Sequence, residues 1–155
     1  MLSEIKFKRT DISNRDFIDL VKSLDAYLTI INGNEDSFFK NFNKVEDLQY
    51  VIVAYVNDIP VGCGAFKIFD ANSLEIKRMF VSPKYRGRKI AQKIVAELEK
   101  LAQELNYRYC ILETSIEMKP AVSFYKSVGY LEIPKYGQYK EVKNSICFKK
   151  ELNIN

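Results

Sequence analysis

Met79–Leu105 reads MFVSPKYRGRKIAQKIVAELEKLAQEL and holds a strand end, a basic loop and a helix in succession. Ser82-Pro83 breaks the strand, because proline has no N–H to give to a ladder. Beyond the loop, Ile90, Ala91, Ile94, Val95, Leu98, Leu101, Ala102 and Leu105 keep returning to one side at a period near 3.6. Lys93, Glu97, Lys100 and Gln103 fall on the other side, which predicts an amphipathic helix with one solvated face.

The loop carries the chemistry. From Lys77 to Lys93 the basic residues are Lys77, Arg78, Lys84, Arg86, Arg88, Lys89 and Lys93, with no acid among them. The whole chain is only +4, so this charge is local. A helix start exposes unpaired N–H groups and a partial positive charge. Gly87 permits close backbone approach, and Arg86 and Arg88 flank it. The combination suits a phosphate or pyrophosphate, although a solvated basic turn has the same composition.

A length of 155 residues, 47% hydrophobic and 28% charged, predicts one soluble domain with a real core. No run is long enough to cross a membrane, and the charged start MLSEIKFKRT is unlike a signal peptide; a cytoplasmic location is expected. Cys63, Cys110 and Cys147 lie in apolar, strand-like contexts without metal-ligand spacing, so reduced, buried thiols are expected. The chain has no histidine, which excludes Ser-His and Cys-His nucleophilic devices and histidine-based zinc sites. Proton transfer is left to Asp, Glu, Tyr, Cys, Lys or water.

Taken in order, Glu4–Arg9 predicts a strand. A helix follows, with Thr10 or Ser13 as its cap and Phe17, Leu20, Val21, Leu24 and Leu28 on its inner side, ending at Asn32-Gly33-Asn34. A short helix at Glu35–Phe42 would present Phe38, Phe39 and Phe42. Tyr50–Val56 and Pro60–Ile68 form a hairpin about Asn57-Asp58, and Leu74–Val81 is the third strand of the meander. Gly62-x-Gly64 lies within a strand and lacks a third glycine and a helix, so it marks a bulge or tight packing. Strand alternation sets Glu75 and Lys77 on one face unless a bulge near Arg78 resets it. Tyr109–Thr114 is a strand parallel to the one before the basic loop. A helix at Pro120–Val128 turns Ala121, Phe124, Tyr125 and Val128 inward. Tyr130–Glu132 and Asn144–Lys149 close the sheet around a Tyr136–Tyr139 loop.

Met79-Phe80-Val81-Ser82-Pro83 followed by Arg86-Gly87-Arg88-Lys89-Ile90-Ala91 resembles motif A of the GNAT superfamily of acyl-CoA N-acyltransferases, Gln/Arg-x-x-Gly-x-Gly/Ala after a strand. Lys89 stands where the family has its middle glycine. Leu112-Glu113-Thr114, then Pro120-Ala121-x-x-Phe124-Tyr125-x-x-x-Gly129-Tyr130, resembles motif B, with Met118 where the family often has asparagine. The resemblance covers most of the chain and implies a single α/β (α+β) domain over residues 1–155. Its mixed sheet would join an antiparallel N-terminal meander to a central parallel pair, flanked by helices. The parallel pair would splay, and coenzyme A would enter the V.

The resemblance further implies an N-acetyltransferase that uses acetyl-CoA, without a metal, to acetylate a primary amine by direct attack. It assigns the cofactor site to Met79, Phe80, Val81, Arg86, Gly87, Arg88, Lys89, Ile90 and Ala91. The N–H near Phe80 would receive the thioester carbonyl, and Tyr125 would protonate the departing thiolate. Two carboxylates compete as general base, Glu75 on the strand into motif A and Glu113 on its neighbour; Glu75 is preferred. A small-molecule or peptide amine is the expected partner, with no nucleic acid and no membrane; a homodimer is left open. The acceptor wall would draw on Asp25, Tyr27, Glu35, Asp36, Phe38, Phe42, Tyr136 and Tyr139, a set that suits a cationic or amphipathic amine. Competing readings are a nucleic-acid or anionic-ligand binding module and an acyl-CoA binder without activity. Basic residues gathered at one helix start, on an otherwise acidic chain, weigh against the former. Retention of Tyr125 and both carboxylates weighs against the latter.

Overall fold

A computed structural model describes residues 4–32 and 47–152. The element order is β1 (Ile5–Thr10), α1 (Arg15–Asn32), β2 (Tyr50–Val56), β3 (Ile59–Ile68), β4 (Ser73–Val81), α2 (Ile90–Glu104), β5 (Tyr109–Ser115), α3 (Lys119–Ser127), β6 (Leu131–Ile133) and β7 (Ser145–Glu151). The helix expected at Glu35–Phe42, with its three phenylalanines, lies outside the described residues.

The seven strands form one sheet in the order β1-β2-β3-β4-β5-β7-β6. Every pairing is antiparallel except β4 with β5, which is parallel, as expected for the strands on either side of α2. Asn57 and Asp58 both have positive φ, the backbone of a tight two-residue hairpin.

Burial on both faces follows from the alternation in β2. Val51 and Val53 join Phe17, Leu20, Val21 and Leu24 of α1, while Ile52, Ala54 and Val56 join Ile90, Ile94, Val95 and Leu98 of α2. The cap of α1 differs from expectation. Asn14 Oδ1 accepts the Phe17 N–H at 2.9 Å, whereas Ser13 is engaged by Asp11 and Thr10 closes β1. Asn14 is one residue nearer the first helical turn, and its side chain reaches the third helical N–H.

Gly62 and Gly64 let α2 lie directly on β3. A Cβ at Gly62 would stand 2.8 Å from the Phe80 carbonyl oxygen and 2.9 Å from Ile94 Cδ1; at Gly64 it would stand 2.6 Å from Met79 Sδ. The Phe80 carbonyl is backbone and cannot swing aside. Gly62→Ala should therefore cost about 1–3 kcal/mol, read as a lower urea midpoint at unchanged slope.

Two features of β4 shape the site. Its ladder with β5 holds only at Ser73–Tyr109, Leu74–Cys110 and Glu75–Ile111, while β5 stays paired to β7 as far as Ser115. Beyond Glu75 the parallel strands diverge, forming the expected V. The β3–β4 register also shifts between Cys63 and Ala65, opposite Arg78 at φ +58. This is a β-bulge, a local kink in β4 just past the point where its ladder with β5 ends.

Candidate active site

Two cavities open in the V and meet. The larger, about 490 Å³, is lined by Met79, Phe80 and Val81 from the end of β4, by the loop and first turn of α2 (Tyr85, Arg86, Gly87, Lys89, Ile90, Ala91), and by Tyr27, Phe124 and Tyr125. The smaller, about 150 Å³, is lined by Glu75, Lys77, Arg78, Glu113, Thr114, Ser115 and Tyr139, with Leu24, Leu28 and Leu112 among its apolar walls. Leu24, Met79, Met118, Ala121 and Tyr125 border both.

The larger cavity is built around backbone donors. Among the described residues, no protein acceptor meets the N–H groups from Gly87 to Ala91, and the first helical bond is Lys93 N–H to Lys89 C=O, 3.1 Å. Gly87 has φ +81, and nothing lies within 4 Å of where its Cβ would be. Lys89 has φ +62, a conformation that favours glycine, and its side chain is exposed. The backbone thus adopts a conformation suited to glycine at this position while the lysine side chain is exposed. Arg86 ties the loop down: its Nε donates to the Val81 carbonyl at 2.9 Å, and its guanidinium lies 5.7 Å from the Tyr27 ring and 5.8 Å from the Phe80 ring. Arg88 does not line either cavity; it lies over Tyr85 at 5.2 Å.

The basic run is therefore divided, contrary to its appearance in the sequence. Lys77 and Arg78 are buried and line the smaller cavity, while Arg86 and Lys89 line the larger. Strand β4 carries the first pair inward before the chain turns at Ser82-Pro83.

In the smaller cavity each charged group has a hydroxyl or counter-ion. The Tyr136 hydroxyl donates to Glu75 Oε2 at 2.6 Å, and Ser145 donates to Glu113. Lys77 Nζ donates to the Tyr139 hydroxyl at 3.1 Å. Arg78 Nη2 bonds to Asp25 of α1, and its buried Nε has no acceptor. Burial pushes the Glu113 carboxyl up to about 7; the Ser145 hydrogen bond and the nearby Lys77 act in the opposite direction. Burial draws the Lys77 amine below its usual range, against the pull of Glu75 and Glu113. Burial also raises Tyr125, so its hydroxyl stays protonated. No hydrogen bond from the described residues reaches that hydroxyl, and the ring packs edge-on against Tyr130 with centroids 5.8 Å apart.

Apart from Arg88, the predicted catalytic and cofactor residues thus line two adjoining cavities, with Tyr125 at their junction. Sequence reasoning missed Ser145 as the partner of Glu113 and Arg78 as a cavity residue. Pairing of Glu113 with Cys147 across β5 and β7 brings Ser145 within reach, and that register is not written locally. Met118 occupies the N-cap of α3 and provides no side-chain cap.

Residues 15–130 match the model of the acetyltransferase (GNAT) family, and the chain belongs to that family. It is 27% identical over 138 residues to an IAA acetyltransferase of Azospirillum brasilense, covering 87% of this chain and 90% of that protein. It is 40% identical over 76 residues to an uncharacterized N-acetyltransferase of Dictyostelium discoideum, covering 49% of this chain but only 35% of that protein. The PaiA N-acetyltransferase of Thermoplasma acidophilum, solved with coenzyme A, superposes with a TM-score of 0.71 at 18% identity, covering 96% of this chain and 99% of that one. Membership defines the class as acyl-CoA-dependent acetyltransferases. Among the described residues, no helix is long and apolar enough to cross a membrane, and no cluster of His, Cys, Asp or Glu is placed to hold a metal ion.

Proposed function

We propose that a single domain of this chain transfers the acetyl group of acetyl-CoA to a small primary amine by direct attack in a ternary complex. The observation that carries this is the junction of the two cavities at Tyr125. One presents unpaired N–H groups at a helix start, the other a carboxylate tuned near neutrality.

Acetyl-CoA supplies an activated acetyl group as a thioester. The N–H groups of Gly87–Ala91 hold its pyrophosphate, aided by the helix dipole. Arg86 shapes the loop, with Arg88 and Lys89 adding positive charge. The bulge at Arg78 turns the β4 backbone near Phe80 towards the V, where an N–H receives the thioester carbonyl. A free alkylamine, with a pKa near ~10.4, reaches the site protonated. Glu113, directly or through a water, takes its proton. Glu75 is less suited, being 2% exposed where Glu113 is only half-buried. As the C–N bond forms and the C–S bond breaks, Tyr125 gives its proton to the departing sulfur and is reprotonated by the second proton that the nitrogen sheds on becoming an amide.

A screen of amines with acetyl-CoA, followed by thiol release, tests the reaction; release with none of them would overturn it. Ser145→Ala tests the assignment of the base. The lost hydrogen bond favours the carboxylate, so its removal raises the Glu113 pKa. The rising limb of kcat/KM against pH should then move from about 7 to higher pH.

A further inference from the structure

The geometry points to an acceptor that carries a carboxylate as well as its amine, held with the amine at Glu113 and the carboxylate at Lys77 and Arg78. This rests on the acetyl-transfer reading and names the substrate class for the same cavity. At about 150 Å³ the cavity has room for a compact side chain or ring, not for a folded protein segment. Its wall contains two cationic side chains from adjacent positions of β4, facing two carboxylates that already accept hydroxyl hydrogen bonds. A second ammonium on the acceptor would meet Lys77 and Arg78, so the wall disfavours a polyamine. A carboxylate on the acceptor would instead meet the Arg78 guanidinium, whose Nε has no acceptor.

Arg78 supplies the more specific signal. Its side chain is only 3% exposed, and its buried Nε has no acceptor. A buried guanidinium with an unmet N–H is costly unless something completes it. The Asp25 carboxylate on Nη2 is half exposed, at 50%, and comes from the surface of α1. Such a pair is weakly held and can yield to a carboxylate that also satisfies Nε. Asp25 thus marks the place of the acceptor's own carboxylate. This narrows the sequence expectation of a cationic or amphipathic amine, which counted Asp25 among the acids of the acceptor wall and did not place Arg78 opposite it.

The test uses two matched series, L-alanine, L-alaninamide and ethylamine, and L-phenylalanine, L-phenylalaninamide and phenethylamine, assayed by acetyl-CoA-dependent thiol release. The amide has the less basic amine, so chemistry alone favours it at neutral pH. The free acid of at least one series should nevertheless lead both analogues by about 10-fold or more in kcat/KM, the scale of one charge-assisted hydrogen bond. Lys77→Met should collapse that ratio; because the ratio is internal, loss of folded protein cancels. Asp25→Asn, on the exposed side of the pair, should lower KM for the acid by removing its competitor. An amide or simple amine faster than both acids, or an acid preference intact in Lys77→Met, would overturn the inference and leave acetyl transfer standing. No product from any of the six amines, where the wider screen gives thiol release, would overturn the inference alone; no release in either would overturn acetyl transfer too.

Discussion

Glu113→Gln is expected to lower kcat/KM for acetyl transfer by roughly 10²- to 10⁴-fold, the span of one positioned general base. Glutamine keeps the volume and can still accept from Ser145, so the strands should stay in place. The change should also remove the rise in kcat/KM through pH about 7, because the base form of Glu113 grows as pH climbs past its pKa. Stability gives an independent reading. The folded pKa is raised from 4.5 to about 7, so the folded state holds a proton that the unfolded state releases. The stabilisation is complete below about 4.5 and is lost as pH rises through about 7. The variant should lack that decline. If the pH limb survives Glu113→Gln and disappears in Glu75→Gln, Glu75 is the base instead.

Tyr125→Phe should lower kcat by roughly 10- to 10³-fold with little change in acetyl-CoA affinity. The hydroxyl has no partner among the described residues, so removing it breaks no internal hydrogen bond. The ring remains packed against Tyr130 and Phe148. Were Tyr125 an anchor for the coenzyme, KM for acetyl-CoA would rise at constant kcat. Were it only core, the melting temperature would fall while activity per folded molecule held. Steady-state kinetics at saturating acetyl-CoA beside a thermal melt separate these outcomes.

The helical period over Ile90–Ala102, the Asn57-Asp58 turn and the alternation in β2 are local signals, and each was legible because one face of the element is committed to one core. The glycines at Gly62 and Gly64 were legible as tight packing, since neither had a turn to serve. Lys77 and Arg78 were not legible as cavity residues. The bulge that redirects β4 depends on its pairing with β3, and charge alone grouped them with Arg86 and Arg88. The surroundings of Glu75 and Glu113 were likewise hidden, since the hydroxyls they accept come from Tyr136 and Ser145, which lie 61 and 32 positions away in the chain. The cap at Asn14 was missed by one residue, because Ser13 is an equally good capping type and only the backbone geometry separates them.

Calorimetric titration with acetyl-CoA and with S-acetyl-pantetheine, which lacks the pyrophosphate and nucleotide, tests the central claim most directly. The pyrophosphate is proposed to sit on the N–H groups of Gly87–Ala91, and charge-assisted hydrogen bonds are worth about 1.5–3 kcal/mol each. Losing two or more should weaken binding by at least about 100-fold. Equal affinities for the two thioesters would contradict it.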